Sequence, residues 1–416
     1  MSEDKYTYSP QANKRLFIIM AVGIVLTIIG IFTTGDHAAD DGSGHSFHWI
    51  HRLYANLWLN NVYVTGIALI GVFFLAIQYA AMAGWSAYIK RIPEAFGYWL
   101  PIAGVLTLVL FFITNFTAPD HFHIFHWLDS SLYDVDGDHY DFIIAGKQGY
   151  LNTGFFLARM IAYFVLWSYM FFVIRKHSLA EDKIGGDAHW FKMRVASTVF
   201  IIIFAVTSST SAWDWVLSID THWFSTMFGW YMFSSWFVAG LAAITLTVIL
   251  LHEQGYLQQL NSSHLHDLGK FVFAFSVFWA YIWFSQFMLI YYANIPEETV
   301  YFVERLKSGV YSPWFYANLF INFIFPFLFL MTRDAKRHTI FLKIVCVVLI
   351  FGHWLDFFMM IMPGTVGENG GIGFMEIGTA MIFGSAFVLV LIRSLAKAPL
   401  VARNHPMLDE SLHHHI

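Results

Sequence analysis

Apolar residues run along this chain in long unbroken stretches, without the three-to-four-residue rhythm of a half-buried helix or the alternation of a half-buried strand. Crossing the hydrocarbon of a bilayer takes about 20 apolar residues in a helix. Ten stretches qualify, near 16–35, 57–84, 96–117, 149–174, 194–217, 223–251, 270–293, 310–332, 339–362 and 374–394. Glycine and β-branched residues are scattered through them with no polar–apolar alternation, which favours helices over barrel strands. The predicted class is an all-α, polytopic integral membrane protein with about ten transmembrane helices. The connections are short: the largest, 35–56 and 118–148, are too small for a separate soluble domain, and the second is acidic, with Asp120, Asp129, Asp134, Asp136, Asp138 and Asp141.

Composition supports the bilayer as solvent. Of 416 residues, 58% are hydrophobic and 12% charged, whereas a soluble domain carries about 25% charged residues. The single cysteine, Cys346, excludes a disulfide framework, a cysteine-ligated iron–sulfur cluster and a covalently attached c-type haem, each of which needs at least two thiols. A net charge of −5 without a block of lysine and arginine excludes nucleic acid as a partner. Placing the amino terminus in the cytoplasm puts 17 of the 23 lysines and arginines on that side. Arg52, Lys147, Arg305 and Lys307 fall on the other side, and Arg159 and Lys343 within spans. The positive-inside rule then predicts that both termini are cytoplasmic. The first stretch is too long for a signal-peptide core and no A-x-A site follows it, so it is read as a retained span.

Ionisable groups inside a membrane cost about 2.5–3.5 kcal/mol each on insertion scales and mark either internal pairing or function. Four stand out: Arg159 near mid-membrane, and Asp214, Asp356 and Glu376 in the outer third. One reading is an ion pair of Arg159 with Asp214 or Asp356 that fixes helix register; the other is a part in handling protons or a quinone. His353 lies one helical turn before Asp356 on the same face, where an imidazole beside a carboxylate can exchange protons. A single intramembrane histidine does not make a bis-histidine haem site. The run Thr207, Ser208, Ser209, Thr210 and Ser211 precedes Asp214. Its hydroxyls either extend a hydrogen-bonded chain toward that acid or bond back to their own helix carbonyls. Outer-loop histidines, His45, His48 and His51, then His121, His123 and His126, have spacings compatible with zinc, but their phenylalanine- and tryptophan-rich surroundings fit an interfacial belt or a docking surface better. Phosphate loops, dinucleotide fingerprints and nucleophile elbows are absent, and the expectation is a chain with no metal or redox cofactor of its own.

The fifth span ends in Ser211-Ala212-Trp213-Asp214-Trp215 and the ninth is expected to end in His353-Trp354-Leu355-Asp356-Phe357, each with its aspartate near the outer end. Each places an aspartate before an aromatic, as two helix bundles of like design would. The stretch from Ser211 to Phe233, SAWDWVLSIDTHWFSTMFGWYMF, resembles the signature of the NrfD-like (polysulfide reductase membrane subunit) superfamily, most closely its F-subunit (ActF) branch in bacterial alternative complex III. Trp213, Asp214, Trp215, Ser218, His222, Trp223, Phe224, Ser225, Thr226, Phe228, Gly229 and Tyr231 carry the resemblance. It implies two four-helix bundles, about 57–217 and 223–362, flanked by the spans near 16–35 and 374–394. It also implies a place in a quinol:electron-acceptor oxidoreductase of the bacterial inner membrane. The expected partners are a paralogous membrane subunit that binds the quinol, c-type haem subunits, an iron–sulfur subunit and lipids. The branch is expected to assist assembly and proton translocation. Asp214 matches the acid at the paralogue's quinol site, whereas His353, Asp356, Arg159, Glu376, Thr210 and Ser211 stand as proton-path candidates on physical grounds. A quinol-binding redox subunit and a purely structural scaffold remain the competing readings.

Overall fold

The computed structural model describes residues 5–34, 48–118 and 122–415. Ten long apolar helices run Pro10–Thr34 (α1), Trp49–Ala80 (α2), Arg91–Phe116 (α3), Thr153–Ile184 (α4), Asp187–Ile219 (α5), Phe228–Glu253 (α6), Ser262–Ala293 (α7), Ser312–Leu330 (α8), Thr339–Asn369 (α9) and Phe374–Leu395 (α10). The chain is therefore an all-α, multi-pass membrane protein. Several helices extend beyond the purely apolar stretches because polar side chains cap them outside the hydrocarbon. Asn261 accepts from the amides of Ser263 at 2.9 Å and His264 at 3.1 Å at the start of α7, and Asn152 accepts from Phe155 at 2.9 Å at the start of α4.

Both chain ends lie on one face, where the Thr7 amide donates to the Tyr256 hydroxyl at 3.1 Å and the Asn261 amide group to the His414 carbonyl at 2.8 Å. This is the termini face. Helices α2, α3, α4 and α5 pack in a ring that closes from α5 to α2, and α6, α7, α8 and α9 form a second ring. The rings share a seam in which α2 touches α6 and α9, so these three helices are the most buried; α1 pairs with α10 outside the rings and is the least buried. The close approach of α2 and α6 requires glycine at Gly66, where a Cβ would sit 1.9 Å from the Trp236 indole.

Two backbone departures shape the second ring. In α8 the residues Phe320–Ile324 form a π turn, because Pro326 has no N–H to give the Asn322 carbonyl and the helix takes up an extra residue there. In α9, Pro363 lies inside the helix and leaves the Met359 carbonyl without its intrahelical donor. Arg305, from the surface helix Pro296–Lys307, replaces that donor through Nε at 2.8 Å.

Candidate functional site: two buried carboxylates

Asp214, near the end of α5, is clamped. Arg159 of α4 reaches it with two parallel bonds, Nε to Oδ2 at 2.8 Å and Nη2 to Oδ1 at 2.9 Å, and the Tyr163 hydroxyl donates to Oδ2 at 2.9 Å. The guanidinium lies 3.9 Å from the Tyr150 ring centre and 4.2 Å from that of Phe155. A planar bidentate pair of this kind satisfies both carboxylate oxygens and fixes α4 against α5. Arg159 sits two turns into α4, level with Asp214 and nearer the opposite face than the expected mid-membrane position, because α4 begins at Thr153 and not at 149.

The hydroxyls ahead of Asp214 bond back to their own helix, and Thr210 also bonds the Tyr163 hydroxyl, which links it to the acid. Thr207 donates to Ile203 at 2.7 Å, Thr210 to Val206 at 3.0 Å and Ser211 to Ser208 at 3.0 Å. The hydroxyls bonded to the Asp214 carboxylate are those of Tyr163 and Tyr150, and Tyr163 has no sequence signal beyond its place one turn after Arg159. The segment after Asp214, which carries the family resemblance, crosses from the first ring to the second. There Trp223 donates to the Glu298 carbonyl at 2.9 Å and stacks on Tyr301 at 4.0 Å, and Ser225 bonds Gln286 at 3.1 Å. His222 is exposed and pairs with Asp141 at 2.5 Å.

Asp356 of α9 has a different environment. It is fully buried, and its partners are donors without a full charge: the Tyr231 and Ser235 hydroxyls of α6, the Trp279 indole of α7 at 2.9 Å and the Asn318 amide of α8 at 2.7 Å. All four helices of the second ring therefore meet at this carboxyl. Asn318 is held by Asn322, whose amide also bonds the Gly352 carbonyl at 2.9 Å. The π turn in α8 carries Asn322, and Gly352 leaves room for it: a Cβ there would fall 2.2 Å from its Oδ1. His353 places Nδ1 at 3.0 Å from the Ser235 hydroxyl and 4.0 Å from Asp356, and its buried Nε2 has no hydrogen-bond partner among the described residues. Because α9 continues to Asn369, past the expected end at 362, Asp356 lies more than three turns before the end of its helix.

Glu376 of α10 sits apart from both. Arg52 of α2 binds it through Nε at 2.7 Å and Nη2 at 2.8 Å, Asn56 donates at 2.8 Å, and the Gly373 amide closes the helix start at 2.8 Å. This constellation ties α10 to the rings. Arg52 and Asn56 fall four residues apart on one face of α2, a spacing readable in sequence only once α2 is known to begin before 57.

Outside the spans, burial pushes the Asp220 carboxyl above its usual range against the opposing charge of Arg305, whose Nη2 lies 3.3 Å away. Glu304 beside it is also raised, by burial and then by the Asp220 charge. Arg305 links this pair to α9, bonding the Met359 and Met360 carbonyls one turn beyond Asp356. On the termini face a second ionic cluster is buried. Lys90 bonds Glu181 and the Tyr79 hydroxyl, Arg91 bonds Glu94, Ser178 and Asp182, and Arg175 lies 3.0 Å from Glu94. The carboxy-terminal segment covers it, with Asn404 bonding the Asp182 carbonyl at 2.9 Å and Ser411 the Trp85 carbonyl at 2.5 Å.

Of the outer-loop histidines, His51 stacks on Phe122 at 4.0 Å and His123 bonds the Asn115 carbonyl at 2.5 Å; His45, His121 and Asp120 lie outside the described residues. Among the described residues no three histidine, cysteine or acidic side chains are grouped to hold a metal. Compared with known proteins, the chain matches no family model and no curated sequence.

Proposed function

We propose that the chain is a membrane subunit, without a redox cofactor of its own, of a quinol:electron-acceptor oxidoreductase of the alternative complex III type, and that Asp356 takes up and releases a proton within it. The observation that carries this reading is the contrast between the two aspartates. Asp214 is paired with a bidentate guanidinium, whereas Asp356, equally buried, has only donors without a full charge. Removing a lone carboxylate from water costs several kcal/mol, while each hydrogen bond to a charged acceptor returns about 1.5–3 kcal/mol. The opposing effects are of similar size, so either protonation state can be held without rebuilding the site. The Tyr231 hydroxyl donates to the ion and accepts from the acid simply by rotating.

In this reading the proton leaves toward Asp220 and Glu304, whose raised affinities suit a transient acceptor near the opposite face. Arg159–Asp214 and Arg52–Glu376 are then structural clamps. The partners are the quinol-binding paralogue and the haem- and cluster-bearing subunits, in a bacterial inner membrane with cytoplasmic termini. The test is the number of protons released per electron by the assembled complex: Asp356→Asn is expected to lower it, and an unchanged ratio in a fully assembled complex refutes the assignment.

A scaffold reading is favoured by one observation, the saturation of both clamps. It requires that every assembled charge-neutral variant, Asp356→Asn included, retain full activity and full proton release.

A further inference from the structure

The termini-face end of the α1–α10 pair carries cations of a different kind from the buried cluster beside it. Lys14, Arg15, Arg393 and Lys397 are exposed, and none has a carboxylate within salt-bridge distance among the described residues. By contrast, Lys90, Arg91 and Arg175 on the same face are all spent on buried acids. Arg393 lies in the last turn of α10 and Lys397 two residues past its end, in a closing turn whose Lys397 amide bonds the Ser394 carbonyl at 3.2 Å. Each is braced by a tyrosine and not by an acid: Arg393 Nε bonds the Tyr8 hydroxyl at 3.2 Å, and the Lys397 ammonium lies 3.9 Å from the centre of the Tyr98 ring. Tyr98 in turn accepts from Arg175 at 3.4 Å, so the ring is fixed in place.

The antiparallel pairing of the helices brings Lys14 and Arg15 to the same end. Gly23 packs on Gly378 and Gly30 on Met375, and continuing that register by a helical repeat places the first turns of α1 beside the last turns of α10. Below the cations the pair presents hydrocarbon: Phe17, Ile18, Val22 and Val25 of α1 are about half exposed at 51%, 52%, 44% and 54%. A cationic crown with aromatic braces above a bare apolar stem has the layout of a phospholipid, with the phosphate at the crown and acyl chains along the stem.

We propose that this end of the α1–α10 pair is a binding site for an anionic phospholipid, with Arg393 and Lys397 holding the phosphate and Lys14 and Arg15 supplying the surrounding field. An aqueous anion would gain the charges but none of the apolar contact. A zwitterionic lipid would carry its own cation into a cluster that already repels one.

The test uses the full chain in detergent and in nanodiscs, with native mass spectrometry counting bound lipid and titration giving affinities for phosphatidylglycerol, phosphatidylcholine and inorganic phosphate. Each basic residue near an anionic surface contributes a factor of about five in affinity. Arg393→Gln/Lys397→Gln is therefore expected to weaken phosphatidylglycerol binding about 25-fold, with phosphatidylcholine unaffected. The control is Lys183→Gln/Lys192→Gln, two exposed cations on the same face outside the crown, which is expected to change binding less than about twofold. Equal losses in the two variants, equal affinity for phosphatidylcholine, or displacement of the lipid by inorganic phosphate at comparable concentration would each overturn the proposal. Because the readout is lipid occupancy, its failure leaves the assignment of Asp356 untouched, and the converse holds as well.

Discussion

Replacing Arg159 by methionine isolates the energetics of the first clamp. The change removes two charge-assisted bonds, at 2.8 and 2.9 Å, from a carboxylate that is 1% exposed, and leaves it with tyrosine hydroxyls, those of Tyr163 and Tyr150. Breaking a buried ion pair from one side costs about 3–5 kcal/mol, because the remaining charge is stranded. Removing both charges, as in Arg159→Met/Asp214→Leu, avoids that penalty, since apolar replacement of a buried pair is often close to neutral. The double variant takes the Asp214 acceptor from the Tyr163 hydroxyl, which keeps Thr210 as a partner; the remaining cost is at most about 1–3 kcal/mol, so it should recover half or more of the single variant's loss. Adding Tyr163→Phe should recover most of what remains. Steric trapping of the full chain in bicelles gives the unfolding free energies. A single variant that costs under about 1 kcal/mol would show that the pair is not buried as described, and a double variant as unstable as the single would refute the stranded-charge argument.

Other consequences follow from individual contacts. Gly352→Ala forces a methyl group into the space occupied by Asn322 Oδ1, 2.2 Å from the new Cβ; the expected loss is about 1–3 kcal/mol, and in the assembled complex proton release should fall along with it because Asn318 moves from Asp356. Arg305→Gln strands the Met359 carbonyl beside Pro363, so hydrogen exchange should rise in the last turns of α9 and in Pro296–Lys307 while the first ring stays protected. Burial, with Lys90 and Arg91 adding to it, lowers the His405 imidazole to about 3. The unfolded chain, with a value of about 6.5, then binds more protons between those limits, so this histidine's contribution to stability is present above pH ~6.5 and is lost progressively as pH falls toward ~3. The thermal midpoint of His405→Gln should accordingly fall less steeply than that of the parent across this window, and parallel curves would contradict the assignment.

The spans were legible because hydrocarbon thickness leaves so little freedom, and Asp214, Asp356, Arg159 and His353 announced themselves by the cost of placing them there. What was not legible was which neighbours face them. Tyr163, Tyr231, Trp279 and Asn318 are ordinary members of aromatic- and amide-bearing helices, and only the rotation of each helix, set by packing, turns them toward an acid. The pairing of Arg159 with Asp214 rather than Asp356 likewise depends on which helices share a ring. Lys90, Arg91 and Arg175 read as solvated loop or headgroup charges because nothing in their local sequence reveals that the carboxy-terminal segment folds over them. The spacing from Arg91 to Glu94, and from Ser178 to Glu181, was the signal available.

The most direct measurement of the central claim is the carboxyl stretching region of an infrared difference spectrum, recorded as the assembled complex turns over quinol, with the Asp356→Asn and Asp214→Asn complexes alongside. A protonated-carboxyl band that appears and decays during turnover is expected in the parent and in Asp214→Asn, and is expected to be lost in Asp356→Asn. The same band persisting in Asp356→Asn, or vanishing only in Asp214→Asn, would contradict the division of the two acids into clamp and carrier.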